Sequence, residues 1–290
     1  MDFERGSVSA NGLEFAYLAV GEGPLALCLH GFPDTAWTWR HLLPELARAG
    51  YRAVAPFTRG YAPTAVPADN RYQSGVLALD ACELHQALAG DADAVLVGHD
   101  WGALAAYGAA CLQPERWRRV VAAAVPPGAS MAQAFMSFDQ LRRSWYMFFF
   151  LADLAEMVVP LNDCEFMVRL WQDWSPGYGC AEDVAHVRAA LAEPANMAAA
   201  IAYYRDSLQV SRQDPTLSAA QAATLQVPPQ PTLYLHGAED GCISVEFARI
   251  GAGYLDSEGS RYEILEDVGH FLHLERPDEV NRLMVDFLTP

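Results

Sequence analysis

The sequence predicts an α/β fold: a mostly parallel central sheet with helices on both faces and one inserted α-helical cap. Three observations carry this reading. Short apolar runs alternate with stretches of helical spacing from residue 13 to residue 125, the pattern of buried parallel strands and their crossover helices. The alternation stops at Pro126-Pro127-Gly128, and the next hundred residues are rich in Met, Trp, Tyr and Phe at helical spacing without a buried-strand run. After Val227-Pro228-Pro229-Gln230-Pro231 the strand–helix pattern returns. Residues 1–128 and 227–290 are therefore expected to form one α/β core in two pieces, with residues 129–226 as the cap.

Taken in order, Leu13–Val20 reads as a strand ended by Gly21-Glu22-Gly23-Pro24, and Leu25–Leu29 as a short buried strand. Trp37–Ala49 reads as a helix closed by Gly50. Tyr51–Ala55 is a strand, and Ser74–Leu88 an amphipathic helix with apolar Val76, Leu77, Leu79, Ala81, Leu84 and Leu88. Ala94–Val97 and Val120–Val125 are buried strands flanking a helix over Ala103–Leu112. The second piece reads as strand Thr232–His236, helix Val245–Tyr254, strand Tyr262–Leu265 and a final helix Pro277–Leu288.

Composition narrows the function. A 290-residue chain that is 52% hydrophobic supports one large core plus a cap. A net charge of −17 argues against nucleic acid and anionic membrane surfaces as partners. All nineteen basic residues are arginine, which suggests a GC-rich bacterial source. The first residues carry no basic segment followed by an apolar one, and the longest apolar stretch, Trp145–Leu161, is broken by Asp153 and Glu156. A cytoplasmic protein is expected. The six cysteines form no C-x-x-C pair and read as reduced, packed residues. No metal-ligand spacing, phosphate loop or dinucleotide fingerprint occurs, so no cofactor is implied.

The chemistry centres on Gly98-His99-Asp100-Trp101-Gly102, between an apolar strand and a small-residue helix. That is the context of a nucleophile elbow, G-x-S-x-G, with aspartate in the serine position. A serine needs a base to become nucleophilic. A carboxylate of pKa about 3.9 is already ionised at neutral pH. It can displace a leaving group from saturated carbon, giving an ester that a second step must hydrolyse. The alternative role, a helix-capping aspartate, fits the flanking glycines less well. An acid and then a histidine should follow in the chain. Asp240, after a late buried strand, is the candidate acid, with Glu239 beside it as competitor. His270, after the last strand, is the candidate base, and His273 reads as a core or surface histidine. His30-Gly31-Phe32-Pro33 follows the Leu25–Leu29 strand. Backbone N–H groups of Phe32 and Trp101 are candidates for an oxyanion hole, His30 for a structural hydrogen bond, and Phe32–Pro33 for a cis peptide.

Over nearly its whole length the chain resembles the epoxide hydrolases of the α/β-hydrolase superfamily. The resemblance rests on His30-Gly31-Phe32-Pro33, Arg59-Gly60-Tyr61, Gly98-His99-Asp100-Trp101-Gly102 and Gly269-His270-Phe271 with Glu275 and Pro277. It implies Asp100 as nucleophile, Asp240 in preference to Glu239 as the acid and His270 as the base. It also implies two cap tyrosines that hydrogen-bond the epoxide oxygen. The local patterns point to Tyr146 and Tyr204, with Tyr203 competing for the second place. Opening an epoxide creates an alkoxide, and a phenol of pKa near 10 can protonate it without being ionised itself. The chain departs from the family in Ala55-Pro56-Phe57-Thr58, where an Asp usually precedes the Arg-Gly; a loop contact near the site is expected to differ.

The expected function is hydrolysis of a small hydrophobic epoxide by water, with oligomeric state open between monomer and homodimer. Aromatic and apolar residues Phe135, Met136, Phe138, Trp145, Phe148, Phe149, Trp171 and Trp174 are candidates to line the pocket. A haloalkane dehalogenase is the alternative, using the same Asp. It requires halide donors, and Phe32 stands where that family has an asparagine. Trp101, Trp145, Trp171 or Trp174 would have to serve. A haloacetate dehalogenase is disfavoured because Trp101 replaces the expected arginine. A non-catalytic binding protein on this fold is a further alternative, opposed by an intact Asp–Asp–His set. An esterase is excluded by the missing serine.

Overall fold

The computed structural model describes residues 2–289, with Ala129 and Ala132 in their backbone only. Eight strands form one sheet in the order β1-β2-β4-β3-β5-β6-β7-β8. They are β1 (Glu4–Ala10), β2 (Leu13–Val20), β3 (Leu25–Leu29), β4 (Arg52–Pro56), β5 (Val95–His99), β6 (Arg119–Ala123), β7 (Thr232–Gly237) and β8 (Arg261–Leu265). From β4 through β8 every pairing is parallel; β1 and β2 run antiparallel at one edge. The central strands β3, β5 and β7 are buried throughout, which requires cover on both faces. Helices α1 (Leu42–Arg48), α2 (Ser74–Ala87) and α3 (Trp101–Leu112) supply part of it: α2 packs on α3, and α1 packs on the helix Pro277–Leu288.

Three elements differ from the sequence reading. The strand β1 lies outside it, because Glu-Arg-Gly-Ser-Val-Ser-Ala is polar and its edge position leaves most of it partly exposed. Its hairpin to β2 turns at Asn11-Gly12, both with positive φ, and Asn-Gly is the strongest short hairpin signal a sequence carries. The single helix expected over Trp37–Ala49 is a 3₁₀ segment, Ala36–His41, followed by α1. Pro44 has no N–H to extend the hydrogen-bond ladder back to residue 40, so α-helical bonding starts afresh beyond that point. α3 begins directly after Asp100, two residues earlier than its apolar pattern suggests.

Between β6 and β7 the described residues form helices and turns and no strand. The longest helices there are Leu161–Trp174, Ala181–Ala190 and Pro194–Leu208. Among the described residues, no helix is long and apolar enough to cross a membrane. The chain runs from β3 to β4 on one side and then to β5 on the other. The crevice at the carboxyl ends of β3 and β5 is therefore the topological switch point, where open α/β sheets bind ligands.

Candidate active site

The elbow is built by strain that glycines permit. Asp100 sits between β5 and α3 at φ 54°, ψ −121°, a conformation few non-glycine residues adopt. The turn is so tight that a Cβ on Gly98 would run into the Gly102 carbonyl, and a Cβ on Gly102 into that of Leu29. Gly31 faces the Asp100 carboxylate with no room for a side chain. The result is a carboxylate pressed against the loop after β3. Phe32 N–H donates to Asp100 Oδ1 at 2.7 Å, and the Trp101 N–H also supports the carboxylate.

The other two charged groups arrive on loops after β7 and β8. His270 Nδ1 is 2.8 Å from Asp240 Oδ2, and His270 Nε2 is 3.8 Å from Asp100 Oδ2. Asp240 Oδ1 accepts from the N–H groups of Cys242 (2.7 Å) and Ile243 (2.8 Å). The Asp240 hydrogen bond fixes the proton on Nδ1 and leaves Nε2 free to accept one; Nε2 has no other partner. Glu239 is not in this arrangement. His270 is held from behind: its N–H donates to Trp174 O (2.9 Å), and Glu275 binds both the Gly269 N–H (2.9 Å) and the Ser175 hydroxyl (2.6 Å). No sequence signal points to Ser175, which lies almost a hundred residues before the loop it braces.

All three groups are buried, and their titration reflects the balance. Burial pushes the Asp100 carboxyl above the usual carboxylate range, with His270 and the Phe32 and Trp101 N–H groups pulling it part of the way back. Asp240 is equally buried, but His270, His236 and the Ile243 N–H outweigh burial and hold it below that range. Burial works against a charged His270; Asp240, Asp100 and Glu275 outweigh it, so the imidazole stays protonated to a higher pH than usual.

Above the carboxylate lies a cavity of about 280 Å³, walled by Asp100, Trp101, Leu104, Val125, Met131, Phe135, Ser144, Tyr146, Met147, Tyr204, Leu208, Cys242 and Ile243 among others. Its surface is mainly apolar. Tyr146 and Tyr204 bring their hydroxyls to it from two helices of the β6–β7 segment. Their rings meet edge to face, 5.6 Å between centroids. Tyr204 Oη has no hydrogen-bond partner, and Tyr146 Oη meets only Cys242 Sγ, at 3.4 Å. Burial, then neighbouring acidic groups including Asp100, push both phenols well above their ordinary pKa. Tyr203 points elsewhere, donating to Arg59 O at 2.7 Å. Phe32 does not line this cavity; its buried ring packs against Tyr146, Tyr204 and Phe150.

Of the expected apolar lining, Phe135 takes part. Met136 and Phe138 are 88% and 79% exposed, Trp145 and Phe148 about half exposed. Trp171 stacks on Phe271 and donates its indole N–H to Pro33 O at 2.9 Å. Trp174 sits beneath Tyr146, against Phe32 and His270. Helical spacing identifies a helix but not which side meets the cavity when several short helices share the work.

The remaining motif residues are scaffold. His30 accepts from Thr58 N–H at 3.0 Å through Nε2 and donates from Nδ1 to Gly31 O at 2.9 Å; burial lowers its pKa to about 4. Thr58 thus ties the loop after β4 to the one after β3. Arg59, buried, forms a bidentate pair with Asp80 at 2.6 Å for each bond. Phe32–Pro33 is cis. His273 is a core residue packed on Trp39 and bonded to Thr38.

An α/β sheet with an aspartate elbow at its switch point, an acid after β7 and a histidine after β8 defines a hydrolase architecture. A model of the alpha/beta hydrolase family matches residues 26–283, and the chain belongs to that family. Within it, the chain stands with the epoxide hydrolases. It is 30% identical over 292 residues to epoxide hydrolase 4 of Mus musculus, across 97% of this chain and 78% of that protein. It is also 30% identical over 319 residues to an epoxide hydrolase of Caballeronia sordidicola, across 97% and 92% of the two chains. The crystal structure of Bacillus megaterium epoxide hydrolase with an inhibitor superimposes with a TM-score of 0.82 at 25% identity, covering 98% of this chain and all of that one.

Proposed function

We propose that this protein hydrolyses a hydrophobic epoxide to its vicinal diol through a covalent ester on Asp100. One observation carries the reading: an ionisable carboxylate and two under-bonded phenols face the same apolar cavity. The carboxylate suits attack on carbon, and the phenols suit an oxygen that gains charge as its bond to that carbon breaks. The relatives, themselves named epoxide hydrolases, support the same substrate class.

In the first half-reaction Asp100 Oδ2, the oxygen not held by Phe32, attacks a ring carbon. The C–O bond of the epoxide breaks, and Tyr146 and Tyr204 donate to the leaving oxygen, which stays attached to the neighbouring carbon as the hydroxyl of a glycol ester. Residues 129–226 act as the cap that brings these phenols over the nucleophile. In the second half-reaction His270 Nε2 takes a proton from water, and the hydroxide formed attacks the ester carbonyl of Asp100. Negative charge develops on the carbonyl oxygen beside the Phe32 and Trp101 N–H groups, which hold the carboxylate in the resting enzyme. Collapse breaks the ester C–O bond; the expelled diol oxygen takes the proton back from His270, and the proton left on the Asp100 carboxyl replaces the one the phenol gave up, so Asp100, His270 and the tyrosine are all restored. Asp240 keeps His270 in the required tautomer and balances its charge. Every group used belongs to this chain or to water.

The dehalogenase reading needs donors for a departing halide. Trp171 has given its indole N–H to Pro33 O, and Trp145 is half exposed against Phe149 and Phe166, so neither supports it. The six cysteines are unpaired and five are buried, which fits a reducing compartment, the cytoplasm.

The test is a mass spectrum of His270→Gln incubated with styrene oxide. The expected result is one added substrate mass on Asp100. An unmodified variant alongside diol-forming wild type overturns the covalent route, and release of bromide from 1-bromobutane without diol from styrene oxide overturns the substrate class.

A further inference from the structure

Cys242 stands in an unusual place. Its N–H is tied to Asp240 Oδ1, while its side chain lines the cavity and lies 3.4 Å from Tyr146 Oη. One residue thus touches the acid through its backbone and a ring-opening phenol through its sulfur. The cavity wall also carries the buried, unpartnered hydroxyl of Tyr204, so the oxygen of an occupant is drawn toward the pair of phenols. An epoxide whose oxygen hydrogen-bonds to Tyr146, at about 2.8 Å, would share its cavity with two nucleophiles, the Asp100 carboxylate and the Cys242 thiol, the latter 3.4 Å from the same hydroxyl.

We infer that Cys242 is a modification site, irreversibly alkylated by the same epoxides the cavity admits. This rests on the reading of the cavity as an epoxide site. In the step, a bond forms between sulfur and a ring carbon and the C–O bond to that carbon breaks. The thiol proton passes to the oxygen, with the Tyr146 hydroxyl as the adjacent relay. The product is a β-hydroxy thioether carrying the whole mass of the epoxide, and no other reactant is required. The two nucleophiles differ in the fate of their adducts. The ester on Asp100 has a carbonyl that water attacks; the thioether has none, so the modified chain is lost. They differ also in speed. The thiolate is the reactive form of cysteine, and burial, reinforced by Asp240 and Asp100, holds the proton on Cys242 well above the usual thiol range. Asp100 therefore wins most encounters, and loss at Cys242 accumulates only over many turnovers. The two carboxylates that run the hydrolysis also shield the thiol beside them.

The experiment exposes wild-type protein to excess styrene oxide for many turnovers. Ester adducts are then cleaved with hydroxylamine, and intact mass and peptide maps are recorded. The expected result is one hydroxylamine-stable styrene oxide mass on the peptide containing Cys242, rising in step with lost activity. Asp100→Ala, which cannot form the ester and has lost one shielding charge, should gather the same adduct faster. Cys242→Ala and the better size match Cys242→Ser should gather none at this position and lose activity more slowly. Wild type that forms diol to exhaustion with Cys242 unmodified overturns the inference, as does activity loss at the same rate in both Cys242 variants. The underlying reading fails separately: absence of diol from wild type, together with absence of a hydroxylamine-labile ester in His270→Gln, sinks the epoxide reaction itself.

Discussion

The floor and the roof of the cavity are built to opposite specifications. On the floor, the Phe32 N–H holds Asp100, and the Cys242 and Ile243 N–H groups and His270 hold Asp240, with 2.7 or 2.8 Å between partners; His270 Nε2 stands 3.8 Å from Asp100. On the roof, Tyr204 has no partner and Tyr146 has one long contact to sulfur. The floor must hold charge away from water, and buried charge is tolerable only when its lone pairs are satisfied. On the proposed mechanism the roof gives a proton to a group that arrives with the substrate. A phenol already well bonded would have to break that bond first. Preorganisation therefore means bonded carboxylates on the floor, with only His270 Nε2 left open toward Asp100, and vacancy on the roof.

Floor and roof belong to separate half-reactions under this reading, and substitutions can break the contrast. The largest loss is expected for Asp100→Ala, at about 10⁵-fold in kcat by analogy with removal of a protease nucleophile; residual diol formation above that level would mean water attacks the epoxide directly. His270→Gln should slow ester hydrolysis by about 10³-fold or more while leaving alkylation within about tenfold. Rapid-quench measurement of the two rates checks it, and equal loss in both would undo the division of labour.

The roof should show the reverse. Tyr146→Phe and Tyr204→Phe are each expected to slow alkylation by about 10- to 100-fold, and the double variant by about 10³-fold, with ester hydrolysis little changed. A Tyr203→Phe control, which loses only its bond to Arg59 O, should leave alkylation within about threefold. If Tyr203→Phe were the more damaging change, the roof would have been assigned to the wrong phenol.

The smallest effect is one of pH. His270 must be neutral to accept a proton, and its carboxylate neighbours raise its pKa above 6.5, so ester hydrolysis should fall as pH drops through that raised value. Esterification of Asp100 removes one of those neighbours. The limb measured on the trapped ester should accordingly lie at lower pH than His270 titration in the free enzyme, followed by NMR. Glu275→Gln removes another and should move both limbs further down, with a rate loss of about tenfold or less. A limb that moved upward would contradict the sign of the Glu275 contribution.

The floor is legible in the sequence because each of its groups is announced locally. Asp100 is flanked by the glycines its turn demands, Asp240 follows a buried apolar strand by a few residues, and His270 follows the last strand. The roof is legible only as a pair of candidates, Tyr203 and Tyr204 being neighbours on one helix. Adjacent helical positions point about 100° apart, and which direction meets the cavity is set by what lies across from it. Spacing misjudges the aromatic lining for the same reason: Trp145 and Phe148 share a short helix with Tyr146 yet are half exposed. The edge strand β1 escapes because its residues alternate weakly, although Asn11-Gly12 marks the turn.

The sequence by itself determined the alternation of strands and helices, the break at Pro126-Pro127-Gly128 and the carboxylate at the elbow, because these depend on residue type and spacing along the chain. Only the tertiary structure decided what faces what: Tyr204 into the cavity and Tyr203 onto Arg59, Trp171 spent on Pro33, Ser175 and Glu275 behind His270, and Cys242 beside Tyr146. Those relations join residues up to 144 positions apart, and contacts at such separation arise from the packing of whole elements, which no local pattern encodes.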